Sequence, residues 1–481
     1  MTVKPLVQAS MVLLALVLLA GCGGKPQWTT SSSAALRAYD EGVTHWQRFY
    51  YSEAQASFEK AIAADSNFAL PWGRLAMLHM NTLDEASARQ ESARALTLSS
   101  RATEHEQLLV RLWYHRARYE NTRAATLADS LVTQFPSDPE GFLERGQLFE
   151  MEKNLEAAAD MYERSVEADT GFALGVMSLG YVFSNLGEQD KAVGSMQRYI
   201  RMAPGAADPL ASYADILVRA GRYDEALAQY RASLAIKPDY WYSVREIGTV
   251  YAILGRLRLA EQQFDSSMTM VPGGPAARVV RLRLHAYLDL MRGAYAAAID
   301  KLNESVTVDS SVFGNAVNLT YALAKLHRFA EADSVIRRSH EELIQKHLTE
   351  SPAMQAYYVM RARVLTEQHR YNDAEEACKS ALEFSSPLMR GTVYAQLARI
   401  HLAARDFESA LDAVEGALGV NPNAPDALLT LVKIYHGQGD TRMVHEVGGR
   451  LLELWKDADP DFVRLIELRA LLGLPPQHST S

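Results

Sequence analysis

Apolar residues recur at helical spacing along most of the chain, in paired segments that repeat every 34 residues. Within one such unit, Leu210, Ala214 and Leu217 mark the buried face of a first helix. Gly221 ends this helix, because glycine adopts the left-handed conformation at a helix C-terminus at the least cost. A second helix follows, and Pro238 prevents its continuation. The pattern therefore predicts a helical hairpin as the structural unit.

The unit recurs without the gain or loss of a residue through the centre of the chain, residues 173–274. A fixed period of this size indicates a stacked array of one supersecondary unit. Four repeat positions keep the 34-residue step: Gly180, Ala214 and Gly248; Gly187, Gly221 and Gly255; Ala192, Ala226 and Ala260; Pro204, Pro238 and Pro272.

This pattern of small residues, alanine and proline resembles the tetratricopeptide repeat. The resemblance implies an all-α fold: a right-handed superhelical solenoid of about twelve antiparallel helix pairs with a C-terminal capping helix. The segment DFVRLIELRALL, residues 461–472, is amphipathic and is the predicted capping helix, which Pro475 and Pro476 would end. We divide the chain into a lipoprotein signal peptide (1–22), a flexible tether (23–35), degenerate N-terminal repeats (36–138), regular repeats (139–312), C-terminal repeats with a helical insertion near 340–355 (313–457), and the capping helix with a short tail (458–481).

The N-terminal segment carries a candidate lipidation site. The apolar run from Met11 to Ala20 has the length of a signal-peptide core and is short for a membrane span. It ends in Leu-Ala-Gly-Cys, which resembles a bacterial lipobox and implies acylation of Cys22. The alternatives are an ordinary secretory signal and a marginal anchor helix. Gly23 after the cysteine resembles an outer-membrane sorting context, so we expect a lipoprotein of the outer membrane that faces the periplasm.

Composition narrows the classes of partner. The net charge is −9 and no basic domain stands out, which argues against a nucleic-acid binder. Two cysteines cannot form a disulfide framework, and Cys378 is predicted to be a buried small apolar residue of a second helix.

The sequence offers no motif that carries chemistry. The three His-Glu pairs, at His105, His340 and His445, lack a second histidine three residues after the glutamate, as a zinc peptidase would require. Glycine-rich phosphate loops and Gly-x-Ser-x-Gly elbows are absent from the sequence. We therefore predict a non-enzyme with no catalytic residues, metal, cofactor or small-molecule substrate.

The inner surface of the superhelix is the predicted binding site. In the family that the chain resembles, first-helix positions 2, 5, 9, 12 and 13 face the concave groove. Tyrosine and arginine are the side chains that most often carry binding energy. At these positions the sequence has Tyr181, Asn185, Tyr242, Arg245, Arg283, Tyr287, Tyr321, Lys325, Arg363 and Arg399, followed by Lys433. Upstream, the same positions hold Glu140, Gln147 and Glu150, which predicts a change in the sign of the charge along the groove.

These features favour a non-catalytic, lipid-anchored scaffold of the bacterial cell envelope. Its expected partners are envelope proteins or extended peptide segments held in the groove, for assembly or trafficking, with the membrane contacted through acylated Cys22. One alternative is an accessory protein of polysaccharide binding or export, with Tyr181, Tyr242, Tyr287 and Tyr321 as stacking platforms. Another is a regulatory subunit of a partner enzyme.

Overall fold

The computed structural model describes residues 28–81, 84–271, 274–308 and 313–475. Within these ranges it contains twenty-five α-helices, one short 3-10 helix and no strand. None of these helices is long and apolar enough to cross a membrane. The predicted signal peptide and its Cys22 lie outside the described residues.

The helices form twelve consecutive pairs in the described chain, followed by one last helix, α25 (Val463–Leu471). The first helices of the pairs are α1 (Ser33–Gln47), α3 (Ala69–Asn81), α5 (Glu104–Arg116), α7 (Pro139–Met151), α9 (Ala173–Asn185), α11 (Asp208–Arg219), α13 (Trp241–Ile253), α15 (Pro275–Met291), α17 (Phe313–Lys325), α19 (Ala353–Glu367), α21 (Pro387–Ala403) and α23 (Pro425–Gln438). The second helices are α2 (Tyr51–Ala64), α4 (Glu85–Leu98), α6 (Asn121–Gln134), α8 (Leu155–Ala168), α10 (Gln189–Met202), α12 (Tyr223–Ile236), α14 (Leu257–Thr269), α16 (Tyr295–Val308), α18 (Phe329–Gln345), α20 (Tyr371–Glu383), α22 (Phe407–Val420) and α24 (Thr441–Leu454).

Each hairpin is built from the repeat positions that the sequence marks. Ala226 is completely buried, as the predicted crossing of α11 and α12 requires. Gly221, at the turn between these helices, has a φ of +73°, the left-handed conformation that favours glycine. Tyr230 is buried on the same face of α12 as Ala226. The all-α array of about twelve helix pairs is confirmed.

The superhelix coils tightly enough for its successive turns to touch, a feature that the repeat pattern did not predict. A Cβ added at Gly187 would lie 3.9 Å from Pro387, and one added at Gly221 would lie 2.3 Å from the side-chain oxygen of Asn421. In both pairs the partners are 200 residues apart, which corresponds to about six 34-residue repeats. We call this contact the inter-turn seam, formed by the hairpin turns at Gly187, Gly221 and Gly255 and the chain about 200 residues later.

The C-terminal end of the array completes the seam. The indole N–H of Trp455 donates to the backbone carbonyl of Ile253 at 3.1 Å, and the backbone N–H of Asp459 donates to the carbonyl of Gly255 at 2.9 Å. These bonds join the last pair and the approach to α25 to the turn between α13 and α14. The second superhelical turn is therefore fastened to the first by hydrogen bonds to backbone carbonyls as well as by packing.

The helical excursion predicted near 340–355 corresponds in the structure to a lengthened second helix, α18, of 17 residues. It is not an additional helix, because α18 extends to Gln345 and α19 begins at Ala353. The extension carries Lys346 to the previous superhelical turn, where its ammonium group pairs with Glu85 at 2.7 Å and lies over the ring of Tyr119. The longer second helix therefore serves a contact between turns.

The tether predicted for 23–35 is corrected for its described part. The ring of Trp28 stacks on that of His105 with 5.6 Å between centroids. The backbone N–H of Thr29 donates to Glu106 at 2.8 Å, and the chain is already helical at the start of α1. The segment is ordered against the third helix pair because its aromatic ring and hydroxyl group find partners there.

The predicted capping helix is present as α25, and Leu465 and Leu468 are its buried residues. Phe462 precedes the helix and is completely buried, in an edge-to-face contact with Trp455 at 5.1 Å. The helix ends before the prolines, because Gly473 adopts a φ of +67° shortly after Leu471.

Candidate functional site: the axial cavity of the superhelix

The first helices of the later pairs enclose a cavity of about 570 Å³ on the axis of the superhelix. Its wall is contributed by α11, α13, α15, α17, α19, α21, α23 and α25, with a few residues from α12 and α22. We call this space the axial cavity. Because the inter-turn seam brings α11 beside α23, residues more than 200 positions apart, such as Arg219 and Asp426, line the same cavity.

The charged lining of the axial cavity is strongly unbalanced. Four arginines line it, and Asp426 is the only carboxylate among the lining residues described: the arginines are Arg219, Arg363, Arg399 and Arg464. Asp426 accepts from Arg399 at 3.1 Å and from Arg464 at 2.8 and 3.1 Å. Burial raises the pKa of Asp426, but the charges of Arg464 and Arg399 outweigh burial and hold this pKa below its usual value. One carboxylate thus serves two of the four cations.

Arg363 and Arg219 are the two cations in this wall without an ion-paired carboxylate among the described residues, and Arg363 also has no neutral hydrogen-bond partner among them. It makes no ion pair with any residue that the structure describes, and its Nε is buried without an acceptor. Burial, together with the neighbouring positive charge of Arg399, lowers the pKa of Arg363 to about 10, although the charges of Tyr321 and Asp426 act in the opposite direction. The wall of the cavity therefore contains a partly buried cation without an ion-pair partner among the described residues.

Two of the predicted groove tyrosines are held by a buried carboxylate. The hydroxyl groups of Tyr181 and Tyr242 each donate to Asp215 at 2.7 Å, and that of Tyr230 donates at 2.5 Å. Burial raises the pKa of Asp215, while these three hydrogen bonds lower it. Tyr181 and Tyr242 thus join three consecutive first helices, α9, α11 and α13, and their hydroxyl groups are already occupied.

Further predicted groove residues also have partners within the chain. Arg219 donates to Asn185 at 3.2 Å, and its guanidinium group lies over the ring of Tyr181. Arg245 pairs with Glu246 at 2.6 Å.

Two further cations among the predicted groove residues, Arg283 and Lys325, also have partners within the chain. The guanidinium group of Arg283 donates to Asn315 at 3.0 Å. The ammonium group of Lys325 pairs with Glu367. Each of these residues has a described contact that stabilises neighbouring helices.

Of the ten predicted groove residues, four line the axial cavity: Tyr287, Tyr321, Arg363 and Arg399. The other six lie on the first helices but outside the lining of this cavity: Tyr181, Asn185, Tyr242, Arg245, Arg283 and Lys325. Lys433, also outside this lining, pairs with Glu467 of α25 at 2.7 Å. The role of all these residues in binding a partner stays a prediction.

The acidic stretch predicted upstream is largely neutralised. Glu140 pairs with Arg74 at 2.5 Å, and Gln147 accepts from Arg116 at 2.8 Å. These four residues line a smaller cavity of about 180 Å³ among the first helix pairs. Because the carboxylate of Glu140 is compensated within the wall, the expected change in the sign of the charge is weaker than the sequence suggests.

Three groove residues were not predicted, although a stricter use of the repeat register would have included them. Asp426, Asp215 and Arg219 occupy first-helix positions 2, 9 and 13, which are groove positions of the repeat. Arg464 was missed for a different reason: it lies on α25, outside the repeat, so no register assigned it to the cavity.

No other group in the described chain points to a metal or to covalent chemistry. Among the described residues, no cluster of three histidine, cysteine or acidic side chains could hold a metal ion. Cys378 is completely buried, as predicted, and burial raises the pKa of its thiol to about 12. A thiol of that pKa stays protonated at neutral pH and is a poor nucleophile.

Comparison with known proteins identifies the repeat. Three segments, residues 109–171, 213–275 and 396–441, match the family model described as Tetratricopeptide repeat. The chain therefore carries tetratricopeptide repeats, and its fold is an all-α tetratricopeptide solenoid.

Individual relatives resemble the chain only distantly. A mouse protein, Superkiller complex protein 3, is 23% identical over 238 residues, which are 48% of this chain and 15% of the mouse protein. A tetratricopeptide repeat protein from Parabacteroides merdae is 19% identical with a TM-score of 0.40, over 55% of this chain and 98% of its own. Yeast Tom70 is 12% identical with a TM-score of 0.37, over 91% of this chain and 95% of its own. The chain thus spans about one seventh of the length of the mouse relative.

Proposed function

We propose that this chain is a non-catalytic scaffold that holds a protein partner, or an extended segment of one, in the axial cavity. The observation that carries the proposal is the cavity wall, where arginine and tyrosine side chains from seven helices converge. Tetratricopeptide repeats make a protein-interaction role plausible. A preformed array can also bind an extended segment with little rearrangement of its own.

The proposal places this scaffold in the bacterial cell envelope. Its support is the sequence Leu-Ala-Gly-Cys at the end of an apolar run, which resembles a lipobox and would make acylated Cys22 the membrane anchor. More than one acyl chain is needed for stable attachment to a bilayer. Gly23 favours the outer membrane, with the array facing the periplasm.

Polysaccharide binding has less support than protein binding. Of the four tyrosines considered as stacking platforms, Tyr181 and Tyr242 bind Asp215 through their hydroxyl groups. Tyr287 and Tyr321 line the axial cavity. Together with Tyr223 they are three tyrosines in a wall that also holds four arginines, which fits a protein segment better than an extended series of sugar rings.

A photo-crosslinking amino acid at Thr392 tests the scaffold function. Thr392 is exposed and lines the axial cavity, so we expect a crosslinked adduct with one protein that also co-purifies with the chain without crosslinking. The matched control is the same amino acid at Lys379, which is exposed on α20 and lies outside the cavity lining. Identical adducts at both positions, or none at Thr392, would contradict binding in the cavity.

Cys22→Ser tests the anchor. If Cys22 is acylated, we expect the wild-type chain to incorporate labelled fatty acid and to sediment with membranes. The variant should lose the label and be recovered in the soluble fraction, because no acyl chain is left to partition into the bilayer. Cys378→Ser is the matched control, since its buried thiol should not affect either readout. Retention of the label by the Cys22→Ser chain would rule out this anchor.

A further inference from the structure

The arginines of the axial cavity outnumber the carboxylates that could neutralise them. Asp426 is shared by Arg399 and Arg464, which leaves Arg219 and Arg363 without a carboxylate partner among the described residues. Arg219 has a neutral partner, the amide oxygen of Asn185. Ions of one sign that meet in a partly desolvated space repel each other unless a counter-charge enters.

Arg363 shows this excess most clearly. Its Nε has no acceptor in the described chain although it is shielded from solvent. A partly buried cation without an ion-pair partner costs more free energy than an apolar side chain of the same size would. Arg363 therefore contributes to the cavity wall a positive charge that no described residue pairs with.

The volume of the axial cavity and its opening to solvent suit a ligand. A volume of about 570 Å³ lies within the range of small-ligand pockets, and it is also large enough for a few side chains of a peptide. Met389, which is 41% exposed, and the exposed Thr392 both line the cavity, so it is open to solvent on the side of α21. Guanidinium groups match the planar, two-oxygen geometry of carboxylates.

We propose that the axial cavity binds carboxylate groups, carried either by an acidic peptide segment or by a free polycarboxylate, with Arg363 as the principal contact. Arg219 supplies a second donor on the opposite side of the seam. Arg399 and Arg464 are oriented by Asp426 and add positive potential. Only the peptide source depends on the scaffold function proposed above, because the site for the anion follows from the cavity itself.

Calorimetric titration of the purified chain with a capped octaglutamate peptide and, separately, with citrate tests the proposal. We compare the wild type with Arg363→Met, which keeps the length of the side chain without its charge, and with Arg363→Lys, which keeps the charge without the fork. The matched control is Arg338→Met, which removes an exposed arginine of α18 outside the cavity. We expect Arg363→Met to weaken binding about tenfold or more, Arg363→Lys to weaken it less, and the control to bind like the wild type.

Thermal unfolding separates a ligand site from a structural role. Without ligand, the Tm of Arg363→Met should equal or exceed that of the wild type, because the variant no longer buries an unpaired charge. Binding of octaglutamate alone, or of citrate as well, identifies the source of the carboxylate. Equal binding by Arg363→Met and the wild type, or no binding of either probe to the wild type, would overturn the proposal. If Thr392 forms a crosslinked adduct but neither probe binds, the carboxylate site is refuted and the scaffold function stands. If citrate binds in a manner that depends on Arg363 but Thr392 forms no adduct, the carboxylate site stands and the scaffold function is refuted.

Discussion

Replacing Gly255 by valine is expected to separate the two turns of the superhelix. Gly255 has a φ of +74°, and an added Cβ would lie 2.5 Å from Phe462 and 2.7 Å from the Cβ of Ala458. A β-branched residue is strained in this conformation, and the segment after α24 would have to move away. That movement would break the backbone bond from Asp459. We expect a loss of about 3–5 kcal/mol in the free energy of unfolding.

Gly439→Val is the matched control for Gly255→Val. Gly439 has nearly the same conformation, with a φ of +78°, but an added Cβ would meet nothing within 4 Å. This variant should therefore cost only the strain of the backbone, about 1–2 kcal/mol. Denaturant unfolding measures both variants, and small-angle X-ray scattering should show a larger radius of gyration for Gly255→Val only. Equal destabilisation of the two, with unchanged scattering, would mean that the seam contributes nothing.

As the pH rises from about 4 to about 6, the free energy of unfolding of the chain should fall because of Asp208. This carboxylate is buried and accepts from the hydroxyl groups of Tyr199 and Tyr240 at 2.8 Å each. Burial raises its pKa from 3.8 to about 6, although these hydrogen bonds lower it. Between these two pKa values the folded state therefore holds a proton that the unfolded state has lost. The contribution of this protonated carboxyl group to stability is fully present below pH 4 and is lost as the pH rises through 6. A shift of this size corresponds to about 3 kcal/mol.

Asp208→Asn removes this ionisation and should flatten the pH dependence. The amide of asparagine can still accept from one tyrosine through its oxygen and donate to the hydroxyl oxygen of the other through its NH2 group, so the fold is expected to persist. Chemical unfolding at intervals from pH 4 to pH 7 measures the change in stability for each chain. The exposed Asp190→Asn is the control, since it removes one carboxylate without a buried partner and should leave the wild-type slope. An unchanged slope for Asp208→Asn would assign the pH dependence to other groups.

The repeat unit could be predicted because each of its positions has a local cause. Gly221 ends a helix, Ala226 fits a crossing of helices, and a 34-residue step reproduces both along the array. The partners of Tyr181 and Asn185 were also within reach, because Asp215 and Arg219 lie 34 residues later, at the same positions of the next repeat.

The axial cavity could not be predicted in the same way. It depends on the pitch of the superhelix, which sums small rotations over about six repeats and is not encoded in any one of them. The approach of Arg219 to α23 and the position of Arg464 on α25 both follow from that sum. The sequence shows which residues face the axis, whereas the structure shows which of them meet across it.

The inter-turn seam also limits how such a chain can evolve. Solenoid arrays usually tolerate the duplication or loss of single repeats, since each repeat contacts only its neighbours. Here Gly187 meets Pro387 and Gly221 meets Asn421, six repeats later. One extra unit between them would move every later residue by a sixth of a turn and bring unrelated side chains onto the hairpin turns. The number of repeats in this chain is therefore constrained by its own coiling, and changes in length should be confined to the two ends of the array.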